Sequence, residues 1–143
     1  MVIEIKGASF VNKGAQLMLK ALITKRELFS DDSIFVMHMM SGSFSDRNSY
    51  RLGHLAWLHT WNYLSAATLT DTFFSFFPRK LRKKYNIWLR NEVKWVLDIS
   101  GFIYSDDFGS KPSSRMADYY RQLRKAGARI IIMPQAMGPF EKP

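Results

Sequence analysis

The chain contains no cysteine, which removes disulfide scaffolds and thiolate metal sites from consideration and suits a reducing compartment. Histidine is scarce as well. His38, His54 and His59 show no metal-ligand spacing with one another or with a carboxylate cluster, so no metal is expected. Long apolar runs are missing: the most hydrophobic region, residues 55–77, is broken by His59, Asn62, Ser65, Thr68, Thr70 and Asp71 and is too polar for a bilayer span. The first six residues, Met1-Val2-Ile3-Glu4-Ile5-Lys6, lack the basic region, apolar stretch and cleavage site of a signal peptide. A cytoplasmic location is the resulting expectation. Acidic residues are few, 12 against 21 lysines and arginines, and the surplus of +9 attracts polyanions, anionic lipid or phosphorylated substrates without choosing among them.

What is present is a core. Hydrophobic residues make up 47% of 143, enough for one domain with a single interior. There is no internal repeat and no low-complexity linker. Val2, Ile3 and Ile5 predict a short strand ending at Gly7. Gly14 opens a helix carrying Leu17, Met18, Ala21, Leu22, Leu28 and Phe29 at helical spacing. Residues 34–39 read as a strand covered on both faces, closed by a loop over residues 41–46. Residues 54–90 read as helical but poorly phased, with Pro78 a boundary. Residues 95–99 form a third strand. Ser113 or Ser114 caps a helix with an inner face of Met116, Tyr119, Tyr120 and Leu123, Gly127 ends it, and residues 129–133 form a buried strand. The expected fold is α/β, a Rossmann-like parallel sheet flanked by helices. Few residues follow the last strand, and the sequence reads as cut short.

Three polar, glycine-containing loops follow three of these strands: Asn12-Lys13-Gly14-Ala15, then Asp98-Ile99-Ser100-Gly101-Phe102 with Ser105-Asp106-Asp107 and Gly109, and Pro134-Gln135-Ala136-Met137-Gly138-Pro139-Phe140. In a parallel sheet all three emerge at the carboxyl edge, where open α/β sheets bind ligands. Together, in this order and spacing, they resemble the polysaccharide pyruvyl transferase family. The resemblance spans almost the whole chain. It implies the N-terminal half of a two-domain, GT-B-like enzyme, here residues 1–143 with the second domain absent. Such an enzyme moves a pyruvyl group from phosphoenolpyruvate, its donor substrate and not a cofactor, onto sugar hydroxyls in surface polysaccharide (exopolysaccharide) synthesis for the cell envelope. The fragment alone is expected to be inactive. Ala15 departs from the acidic residue that many members carry after this glycine.

On this reading Asn12, Gly14, Ser100, Gly101 and Gln135 bind substrate, and Asp106 and Asp107 are the candidates for a base or for positioning a sugar. Asn12 and Gly14 equally suit the cap and turn that a strand-to-helix junction demands. Adjacent aspartates equally suit a solvated turn, and Gln135 a role in fixing its own loop. Asp98, inside an apolar strand, is expected to be buried and to bond loop amides. The partners implied are a saccharide acceptor, lipid-linked or free, and no nucleic acid; the alternative readings of the chain are a basic nucleic-acid or anionic-membrane binding module, or a non-catalytic truncated paralogue. Phe73, Phe74, Phe76 and Phe77 precede Arg79, Lys80, Arg82, Lys83 and Lys84. With the rings in the core this is a solvated basic helix; with both sets at one surface it suits peripheral contact with anionic membrane. The methionines and tryptophans read as core residues.

Overall fold

A computed structural model describes residues 1–56, 72–101, 103–105, 109–134 and 138. Its centre is a six-stranded, wholly parallel sheet made of β1 (Val2–Lys6), β2 (Ile34–His38), β3 (Gly53–Leu55), β4 (Ile87–Trp88), β5 (Val93–Asp98) and β6 (Arg129–Ile132). The sheet is accompanied by helices that include α1 (Lys13–Thr24), α2 (Phe44–Ser49), α3 (Arg79–Lys84) and α4 (Ser110–Lys125). Across the sheet the order is β4-β3-β2-β1-β5-β6. The chain therefore steps outward from β1 to β4, returns to the other side of β1 as β5, and continues to β6.

Alternation along the strands divides the core into two layers. Ile3, Ile5, Phe35, Met37, Leu97 and Ile99 pack with Leu19 and Leu22 of α1 on one face. Val2, Val36, Leu55, Val93 and Val96 pack with Tyr119 and Leu123 of α4 on the other. Both faces are covered, which is why the central strands read as near-continuous apolar runs. Each fully buried leucine contributes about 1.5–3 kcal/mol.

Several expectations are corrected by packing. Residues 53–55 and 87–88 are strands, too short to show a period and held by pairing: the His54 and Ala56 amides donate to the Asn86 and Trp88 carbonyls, both at 2.8 Å. A Cβ on Gly53 would lie 2.8–2.9 Å from Asn86, Trp88 and Val36 side chains, so only glycine fits there. The loop expected over residues 41–46 turns helical at Phe44, because Ser43 and Asp46 form a reciprocal capping box. In α1 the buried stripe runs through Leu19 and Leu22, while Leu17 and Ala21 are exposed; Leu28 and Phe29 lie beyond the helix. α4 begins at Ser110 after Gly109, before the serines expected to cap it. β6 is an exposed edge strand and not a buried one. Met40 is solvent-facing, unlike the buried Met37. Trp57 and Trp61 lie outside the described residues. No helix among the described residues is long and apolar enough to cross a membrane.

Candidate functional site

The strand order reverses between β1 and β5, and the loops leaving their carboxyl ends frame the crevice that such a reversal creates. These loops touch. Gly7, at φ +78°, lies so close to Ser100 that a Cβ would fall 2.3–2.5 Å from its Oγ, Cα and N. The Ile99 amide donates to the Lys6 carbonyl at 2.8 Å, carrying the pairing one step past the strands. The loop after β6 reaches the same place: the Gly138 amide donates to the Tyr104 carbonyl at 2.9 Å.

The first loop is built to start a helix. Ser9 Oγ accepts from the amides of Val11 and Asn12, and Asn12 Oδ1 accepts from Ala15 N at 3.2 Å as the cap of α1. No acidic side chain occupies the first turn of α1, so its positive end is not neutralised there. Phe10 leans back against Gly42 and Tyr50, its ring centroid 5.7 Å from that of Tyr50.

Asp98 organises the second loop. It is fully buried, and its carboxylate accepts from Ser100 N at 2.9 Å, from Ser100 Oγ and from the Tyr104 hydroxyl. The Tyr120 hydroxyl is buried close to the same carboxylate without meeting hydrogen-bond geometry. Burial first, then the Asp98 carboxylate, pushes both phenols above their ordinary range. They therefore stay protonated, and Tyr104 donates to Asp98.

One strand away, Glu4 of β1 is also fully buried. Its Oε2 accepts from the Tyr119 hydroxyl, its Oε1 has no hydrogen-bond partner, and Lys6 Nζ sits 4.7 Å from the Tyr119 ring centre. Burial raises the Glu4 carboxyl above its usual 4.5, against the pull of Lys6 and Tyr119. A carboxyl with a raised folded-state value contributes stability that is complete below the unfolded value and lost as pH rises through the folded one. The Glu4→Gln variant should thus gain stability relative to the parent chain as pH rises from 4.5. Urea midpoints of the two chains across pH measure this; a difference independent of pH contradicts it.

No family model, no curated protein and no solved structure matches this chain.

Among the residues singled out from sequence, Asn12, Gly14, Ser100 and Gly101 sit at the β1 and β5 loop ends, with Gly7 and Ser100 in contact. Asp106, Asp107 and Gln135 lie outside the described residues. Asn12 spends its carbonyl oxygen on the helix cap, and Ser100 spends its hydroxyl on Asp98, so both side chains are engaged within their own loops. Sequence reasoning missed Tyr104, Tyr119 and Glu4. Glu4 gave a signal, a lone acid at an inward position of an apolar strand. Tyr104 gave none, because its partner is set by a loop. Among the described residues no group of three metal-ligating side chains occurs.

Proposed function

We propose that this chain is the N-terminal, Rossmann-like part of a GT-B-like polysaccharide pyruvyl transferase, working on saccharide acceptors at the cytoplasmic face of the cell envelope. The observation that carries the reading is the meeting of the three loops on which the family resemblance rests: Gly7 against Ser100, and Gly138 bonded to Tyr104. In the proposed reaction an acid protonates the methylene carbon of the enol phosphate, and the adjoining carbon gains oxocarbenium character. One sugar hydroxyl adds to that carbon and loses its proton; a second hydroxyl displaces phosphate, closing the ketal. On this reading Asn12, the amides at Gly14, and the Ser100-Gly101 turn hold the acceptor sugar, with Gln135 beside them and Asp106 or Asp107 receiving a hydroxyl proton.

Deleting the gene is expected to remove pyruvyl ketals from the surface glycan, read by mass spectrometry as loss of the ketal mass. The parent gene should restore them, and a gene encoding Asn12→Ala should restore fewer. An unchanged ketal content after deletion refutes the assignment.

A second reading rests on a separate surface. Phe73, Phe74 and Phe77 cluster with centroids 5.3–6.0 Å apart, yet Phe73 is 57% and Phe76 80% exposed. The rings are thus not core residues. Lys80, Lys83 and Lys84 of α3 are exposed next to them, while Arg82 and the more exposed Arg79 both pair with Glu92, at 2.7 and 3.3 Å. Apolar rings beside cations suit an anionic lipid surface, at about 1 kcal/mol for each cation facing it. The chain is expected to float with anionic vesicles at low salt, to stay behind with neutral ones, and to be released at high salt. Phe76→Ser should weaken the association. Equal flotation with both lipids, or none with either, removes this reading.

A further inference from the structure

Away from the crevice, a cavity of about 390 Å³ opens between α2, β3 and the end of α3. Arg47, only 5% exposed, lies in its wall. Its Nε donates to His54 Nδ1 at 3.0 Å, and its Nη1 to the carbonyls of Ser41 and Gly42 at 3.0 and 2.7 Å. Every one of these acceptors is uncharged. Among the described residues no carboxylate lies within ion-pair distance of the Arg47 guanidinium; Asp46, its neighbour in sequence, is engaged by the Ser43 amide and hydroxyl at 2.9 and 2.7 Å. A guanidinium does not shed its proton in proteins, so a buried positive charge stands here that, among the described residues, feels only the more distant Asp46 carboxylate and makes no ion pair with it.

The hydrogen bond from Arg47 also decides the state of His54. Because Nδ1 accepts, the ring proton is on Nε2, and burial together with the Arg47 charge holds the imidazole neutral. His54 therefore presents an N–H donor and not a second buried charge. Lys84 supplies another cation at the wall, and among the described residues no aspartate or glutamate lines the cavity. Phe44 stacks on His54 with ring centroids 4.7 Å apart, and Tyr85 adds a second aromatic wall. Two cations and one neutral N–H donor, with no acid among the described lining residues, match a dianion better than a monoanion. The volume falls within the range of small-molecule sites, roughly 300–1,000 Å³, leaving room for an organic body between the aromatic rings.

We propose that this cavity binds the phosphate group of a small phosphorylated metabolite, with Lys84 and the His54 Nε2–H as direct donors and Arg47 as the buried charge that favours a dianion. The site is separate from the crevice at β1 and β5 and does not depend on pyruvyl transfer. Inorganic phosphate serves as the probe, with acetate at matched ionic strength as the comparison, and the His54 ring resonances, assigned by their loss in His54→Gln, as the readout.

Phosphate is expected to shift those resonances saturably, and acetate to bind about tenfold more weakly. Lys84→Ala should weaken phosphate about tenfold while leaving the unfolding midpoint unchanged, because Lys84 is exposed. Lys80→Ala, on the same helix but outside the cavity, should leave the affinity as it was. The proposal is overturned if phosphate produces no saturable shift, if acetate binds as tightly, or if Lys80→Ala weakens phosphate as much as Lys84→Ala does.

Discussion

Asp98→Ala is expected to lower stability by about 3 kcal/mol or more, a fall in Tm on the order of 10 °C for a chain of this size. The loss has a definite origin. One buried carboxylate serves Ser100 N, Ser100 Oγ and the Tyr104 hydroxyl, and alanine leaves these donors without an acceptor while opening a cavity at the strand end. Asp98→Asn should lose less, since its amide oxygen still accepts from Ser100, although its NH₂ then confronts the protonated Tyr104. Calorimetric melting of both variants checks the order, and hydrogen exchange at the Ser100 amide should quicken most in Asp98→Ala. A melting temperature within a degree or two of the parent would mean that the β5 loop holds its shape without this carboxylate.

Gly7→Val is expected to be at least as damaging, through shape alone. At φ +78° a β-branched residue is strained wherever it sits, and here its Cβ would also overlap the Ser100 backbone, with Cα 2.4 Å and N 2.5 Å away. Ser100 has little room to retreat, because Asp98 holds its amide and the neighbouring Ile99 amide is bonded to Lys6. Gly101 provides the comparison. It shares the conformation, at φ +82°, but a Cβ there would meet nothing within 4 Å, so Gly101→Ala should show backbone strain alone, about 1–2 kcal/mol. Gly7→Ala should exceed that figure clearly in urea unfolding. Equal losses at the two glycines would show that the loop contact is softer than its geometry.

The same positions explain how far the sequence could be read. Strands β1, β2, β5 and β6 were legible because a buried parallel strand is an unbroken apolar run, and Ile34–His38 and Arg129–Ile132 announce themselves that way. The exposure of β6 was not legible, since an apolar edge strand and an apolar central strand share one pattern. β3 and β4 were invisible for a different reason: three and two residues are fewer than a period needs, and their pairing partner supplies the conformation. In the site, Asp98 stood out as a charge inside an apolar run, whereas its bond to Tyr104 depends on the path of the loop between them. The pairing of Arg47 with His54 was hidden likewise, because two residues seven positions apart become neighbours only when α2 folds back on β3.

The Asp98 carboxylate also has a consequence for how substitutions around the crevice combine. It fixes Tyr104 through the hydroxyl, the Tyr104 carbonyl in turn takes the amide of Gly138, and the Asp98 carbonyl takes the amide of Met133, so one residue ties Tyr104, Met133 and Gly138 together. These positions past β5 and β6 therefore share Asp98 as an anchor. A change that displaces either one acts on the same residue, so the effects of substitutions at the two are expected to couple and not simply add.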